Sequence, residues 1–226
     1  MRRTHRIEIA VVLGLVASFA FGPRAGGQAS ARKGGLPDVV SATDIAYPMN
    51  TTTTGLVSLL LTLDITGTVQ NTLVLQDTPP LTATAQASVQ NWTFKAAVSP
   101  ANAPAVLLAV HVVFNPYNPG GTSPVGGGLT PPAVPLNGGS AVPPQIVSAS
   151  YAIYPSNALA TGTVVLSLRI DKSGNATQVK VVHGVPPLTD AAMTAVRQWG
   201  FQPATFGGRP VAGRICIAFV FQRNLS

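Results

Sequence analysis

A chain of 226 residues with 9% charged and 6% aromatic side chains, but 20 prolines and 22 glycines, holds small β-rich cores joined by irregular segments, not one large core. Its single cysteine excludes an internal disulfide framework, and Cys216 stands in no Cys-x-x-Cys or His-rich ligand pattern, so neither a metal nor another cofactor is expected. The formal charge of +7 falls to about +4 without residues 1–29, and the remaining cations form no aromatic-interleaved run, which argues against nucleic acid as a partner.

The N-terminus carries Arg2, Arg3 and Arg6, then an apolar run from Ile9 to Gly22, then the small-x-small triplet Gly27-Gln28-Ala29. This pattern predicts a secretory signal peptide over residues 1–29, removed on export. The run is roughly 14 residues, short of the ~18 to 20 of a spanning helix; the other reading is an uncleaved anchor in the inner membrane. Either way the rest of the chain is expected in the periplasm.

From Val39 to Phe114 the pattern is that of a small sheet with a helix. Val57, Leu59, Leu61 and Leu63 alternate as a half-buried strand, and Asp64 to Gly67 supplies a turn. Leu81, Ala85, Val89 and Trp92 recur at helical spacing, and Leu108, Val110, Val112 and Phe114 make a last strand. The opposite face of these strands includes Leu60, Leu107, Ala109 and Val113, too apolar for a solvated surface, so it needs a cover. His111 is the one titratable side chain on that face, and a lone histidine there reads as a packed or surface residue. Residues 115–145 are dominated by Pro, Gly, Ser and Asn, with Gly126-Gly127-Gly128 at the centre, and read as a flexible linker.

Residues 146–226 repeat the design. Val164, Leu166, Leu168 and Ile170 alternate, Asp171 to Gly174 turns, and a strand follows from about Thr177 to Val182. Leu188, Ala192, Val196 and Trp199 form a helical face, and the last strand sets Ile215, Ile217, Phe219 and Phe221 against Arg214, Cys216, Ala218 and Val220. Shifted by about 107 residues, 39–114 falls on 146–221 without a gap, with roughly 26 of 76 positions identical. The chain therefore reads as a tandem duplication: an α+β protein of two small domains, 39–114 and 146–226, each an antiparallel sheet of about three strands with a packed helix. The first copy has drifted, with Ala96 in place of a proline and Pro100 to Ala103 in place of the Gly207-Gly208-Arg209-Pro210 turn.

Tyr154-Pro155, Gly162-Thr163-Val164, Ile170-Asp171 with Gly174, the Ala192–Trp199 helix, Phe201-Gln202-Pro203-Ala204 and Gly208-Arg209-Pro210-Val211 stand together in one order. In that combination the stretch resembles the TonB C-terminal domain family of energy transducers, with 39–114 as a divergent first copy. The resemblance implies a periplasmic module that binds an extended peptide of an outer-membrane TonB-dependent receptor, or another envelope protein, by strand addition. It places the peptide on the strand Arg214 to Phe221, with Arg214, Ile215, Cys216, Ile217, Ala218 and Phe219 as contacts helped by Tyr151, Tyr154 and Pro155. An anchored form would engage an inner-membrane motor complex. In place of the family's Gln-Pro-x-Tyr-Pro stands Tyr151-Ala152-Ile153-Tyr154-Pro155. The alternative is a structural or envelope-interaction protein that uses the fold without energy transduction, its two copies pairing within the chain. No Ser/His/Asp, Cys/His or paired-carboxylate pattern occurs, so an enzyme is not expected.

Overall fold

The computed structural model describes residues 36–49, 51–95, 106–117, 124–125, 131–136 and 139–223. The signal peptide or anchor at 1–29, Ala96, the Pro100–Ala103 turn and the Gly126–Gly128 run lie outside the described residues. In chain order the elements are β1 Asp38–Ser41, β2 Gly55–Leu63, β3 Val69–Gln76, α1 Leu81–Val89, β4 Thr93–Lys95, β5 Val106–Asn115, β6 Val134–Leu136, β7 Gly139–Val142 and β8 Gln145–Ser148. Then come β9 Gly162–Ile170, β10 Ala176–His183, α2 Leu188–Val196, β11 Gly200–Gln202, β12 Ala204–Phe206, β13 Arg209–Val211 and β14 Gly213–Phe221.

The expectation of two separate three-stranded α+β domains is overturned. The described residues are mostly β, and one six-stranded sheet in the order β10-β9-β14-β5-β2-β3 runs through both halves. Two-stranded pairs β1-β4 and β8-β11 and a four-stranded sheet β13-β12-β7-β6 accompany it. The periodicity located the main strands correctly but is silent on what each strand's outer edge pairs with. Here the last strand of each half meets the other: β5 and β14 run parallel from Ile215↔Ala109 to Phe221↔Asn115. The segment read as a flexible linker is also structured where described, since β6 and β7 form a hairpin and β7 adds to β12.

The register at that junction decides where the helices go. Phe221 lies opposite Asn115, not opposite Phe114. Because side chains alternate along a strand, this one-residue offset sends Phe114 and Phe221 to opposite faces of the same sheet. One core then gathers Val164, Leu166, Leu168, Ile215, Ile217 and Phe219 under Leu188, Ala192, Val196 and Trp199. The other gathers Val57, Leu59, Leu61, Leu108, Val110 and Val112 under Leu81, Ala85, Val89 and Trp92. Each core also takes residues from the other half: Leu56, Ala109 and Val113 join the first, and Val165, Cys216, Ala218 and Val220 the second. The apolar outward face of 39–114 is thereby buried, with Leu60, Ala109 and Val113 all at 2% exposure or less.

Local chemistry supports both hairpins in the same way. Gly67 and Gly174 hold φ of 92° and 87°, where a side chain is strained, and a Cβ at Gly174 would stand 2.5 Å from the Phe201 carbonyl oxygen. Asp64 accepts from the Thr66 and Thr68 amides, and Asp171 from those of Ser173 and Asn175. These bonds, the Thr66 hydroxyl first, pull the Asp64 carboxyl down to about 2, and the Asn175 amide leads the lowering of Asp171.

Since both cores draw on both halves, the halves unfold as one. With Trp199→Phe leaving Trp92 as reporter, and Trp92→Phe leaving Trp199, denaturant unfolding followed by fluorescence is expected to give transitions that coincide with each other and with far-UV circular dichroism. Two transitions ordered by half contradict the shared core.

Candidate functional site

The strand that sequence reasoning singled out as a binding edge lies in the middle of the sheet. β14 pairs with β9 along Gly213↔Ile170 to Phe221↔Gly162 and with β5 on its other side. An added strand needs a row of unpaired N–H and C=O groups, and here both rows are engaged. Ile215, Cys216, Ile217, Ala218 and Phe219 are fully buried. Cys216 is a free thiol whose burial first, and the Asp38 charge second, push its pKa far above the ordinary range, so it is not a reactive thiolate.

Arg214 is occupied as well. Its Nη1 lies 3.2 Å from the Asp38 carboxylate and donates to Ser167 Oγ at 3.1 Å. Ser167 donates in turn to Asp38, and Lys180 Nζ lies 4.0 Å from the same carboxylate. These contacts tie the lead-in of the first half onto β9, β10 and β14 of the second. The ties are reciprocal. Ile45 N–H donates to Thr163 Oγ1 at 2.8 Å, while the Ala152 N–H, about 107 residues on, donates to Asn115 Oδ1 at 2.8 Å. Asn115 Nδ2 returns a bond to the Ala152 carbonyl at 3.1 Å, and Asp44 Oδ1 accepts from the Thr163 amide at 2.8 Å.

The helper residues split. Tyr154 is buried, donates to the Ala160 carbonyl and packs edge-on against Phe221 at 5.6 Å and Tyr117 at 5.0 Å. Tyr151 is half-buried, its hydroxyl 3.5 Å from Thr54 Oγ1. Pro155 lines an open surface feature, a groove of about 340 Å3 between the 153–155 segment and α2. Ile153, Pro155, Pro187, Ala191 and Ala195 form its apolar walls, with Asp190, Thr194 and Gln198 as polar groups. Ile153 is 46% exposed there. Sequence reasoning noticed Ile153 only as the variable position of a motif. Its signal was an isoleucine between two tyrosines, at a position where Ala152 and Tyr154 alternate inward.

Of one buried polar pair, the sequence pattern marks His111 but not its partner. Ser58 Oγ and His111 Nδ1 lie 2.9 Å apart on adjacent strands, and His111 Nε2 has no hydrogen-bond partner among the described residues. A serine beside a histidine invites a nucleophile reading, but both are buried and the adjoining cavity measures about 10 Å3, room for one water at most. At the corresponding positions of the second half stand Val165 and Ala218. Among the described residues no group of three or more His, Cys, Asp or Glu side chains is placed to hold a metal.

Burial pushes His111 down to about 4. The neutral ring is the native form, so the unfolded chain binds a proton first as pH falls below about 6.5, and stability is lost from there down to about 4. This loss is on the order of 2–3 kcal/mol near pH 4. His111→Gln, which takes up no proton, is expected to flatten the urea-midpoint profile between pH 6.5 and 4 relative to wild type. An unchanged slope places the titration elsewhere.

A family model described as Gram-negative bacterial TonB protein C-terminal matches residues 151–222. That span runs from Tyr151 through β9, β10, α2 and β14, so about a third of the chain is similar to the TonB C-terminal domain. No curated protein and no solved structure matches the chain. No helix among the described residues is long and apolar enough to cross a membrane.

Proposed function

We propose that this chain is a periplasmic envelope-interaction protein in which a diverged first copy of the TonB C-terminal domain occupies the strand edge of the second. The observation that carries the reading is the parallel β5–β14 ladder, seven residue pairs from Ile215↔Ala109 to Phe221↔Asn115. By the family resemblance, that edge is where a transporter peptide adds. Here the backbone groups that supply the affinity of strand addition already serve the fold. The first half as a family copy is supported by matched bounds: β2 and β9, β3 and β10, and α1 and α2 each begin about 107 residues apart.

This favours an envelope contact without energy transduction over coupling to an outer-membrane transporter through β14. What remains free for a partner is the Ile153–Pro155 groove on α2, apolar at its walls and acidic at Asp190. Such a groove suits an apolar side chain anchored next to a basic or hydroxylated one. Export of the module by removal of residues 1–29 completes the reading.

Backbone amide shifts of the full chain, titrated with N-terminal peptides of outer-membrane transporters, test it. The expected result is no change across residues 214–221, with any saturable shifts confined to 153–155 and 190–198 and weakened at least tenfold by Ile153→Glu. Saturable shifts along 214–221, accompanied by faster hydrogen exchange in β5, overturn it, because they mean that the peptide displaces the first half.

A further inference from the structure

The six-stranded sheet has two outer edges, β10 and β3, and they differ in one chemical respect. The β10 edge carries Lys180, and Lys172 and Arg197 lie at the hairpin turn before it and at the end of α2. The β3 edge, Val-Gln-Asn-Thr-Leu-Val-Leu-Gln, carries no charge, no proline and no glycine. Open edges are ordinarily blunted by such residues, above all by lysine, because an unguarded edge templates another strand. Register irregularities flank the middle of both strands, so they do not distinguish the two; between them β3 keeps a regular ladder over Asn71–Val74. Leu73 in that stretch is 43% exposed.

Beside β3 lies an open trough of about 530 Å3, lined by Thr68, Val69, Gln70, Asn71 and Thr72 of the strand side and by Gln86 and Gln90 of α1. At the places of Gln86 and Gln90 the second half has Met193 and Arg197. An amide holds donor and acceptor together, and a hydroxyl does too, so a surface made of them is complementary to an identical copy of itself. A surface bearing lysine or arginine at the two-fold axis is not, because there each cation meets its own image.

We propose that β3 is a self-association edge, through which two copies of this chain pair antiparallel about a two-fold axis to form one continuous twelve-stranded sheet. The proposal is independent of the family reading and of the groove on α2. The nearest charges fit the arrangement. Asp64 is engaged within its own loop by Thr66, Thr68 and Gln70. Asp77 follows the strand's far end, and antiparallel pairing centred on Leu73 sets the two Leu73 side chains opposite each other and each Asp77 carboxylate opposite the uncharged Val69 of the second copy. Only about four residues per copy ladder regularly, so the dimer belongs to the small, transient class and its population rises with concentration.

Sedimentation velocity of the full-length chain over a concentration series tests this, with Leu73→Lys and Leu73→Glu as variants and circular dichroism to verify that both remain folded. Wild type is expected to dimerise with rising concentration. Each variant alone is expected to weaken dimerisation at least tenfold, and an equimolar mixture of the two to restore it, since the cation then faces the anion. A wild-type chain that stays monomeric at the highest concentration overturns the proposal, including the case in which β3 takes up an added extended peptide instead. A dimer unmoved by both variants places the interface elsewhere and overturns it equally.

Discussion

The structure depends on one ladder, the parallel pairing of β5 with β14 at the centre of the six-stranded sheet. Parallel neighbours are usually joined by a crossover helix, and sheets built on them are covered on both faces. Here no direct crossover joins the pair: α2 follows β10, and α1 follows β3. The covering is achieved by register. A one-residue offset inverts the second half with respect to the first, so that one helix lands on each face. Without it, both helices would crowd one side, and the outward faces of β5 and β14 would be left to water.

That ladder explains why so few charges appear near the sheet centre. A strand buried on both faces reads as a near-continuous apolar run, and β5 and β14 do so, as Val-Leu-Leu-Ala-Val-His-Val-Val-Phe-Asn and Gly-Arg-Ile-Cys-Ile-Ala-Phe-Val-Phe. Each exception has at least one partner, while His111 Nε2 and Arg214 Nε have none among the described residues. His111 has Ser58, Arg214 has Asp38 and Ser167, and Asn115 has the Ala152 backbone. Two of these four partners, Asp38 and the Ala152 backbone, come from the other half, so the polar groups in the core also fix how the halves meet. Trp199 holds a bond from Nε1 to the Ser150 carbonyl at 3.1 Å, whereas Trp92 Nε1 is buried with no partner among the described residues.

Much of this was legible in the residues, and the boundary of legibility is physical. Alternation located β2, β5, β9 and β14, helical spacing located α1 and α2, and Asp64 to Gly67 and Asp171 to Gly174 marked the hairpins. The apolar outward residues Ala109 and Val113 signalled a missing cover. Periodicity, however, describes one strand at a time, and the pairing of two edges is a property of neither. The short strands β6, β7, β12 and β13 escaped for another reason: at three or four residues, with Pro135 and Pro210 among them, they carry too few alternations to outweigh their turn-forming composition.

The same limit governs the candidate site. Every residue proposed on β14 was chosen because strand addition needs an edge, and a strand qualifies as an edge only when nothing in the chain reaches it first. In the second half the N–H of Ala152 is met by Asn115, and the guanidinium of Arg214 by Asp38. A partner peptide would have to exceed those contacts while the competing strand is held in place by its own chain, at an effective concentration no free peptide matches. Covalent linkage thus converts what the resemblance implies is a recruitment surface into a permanent seam.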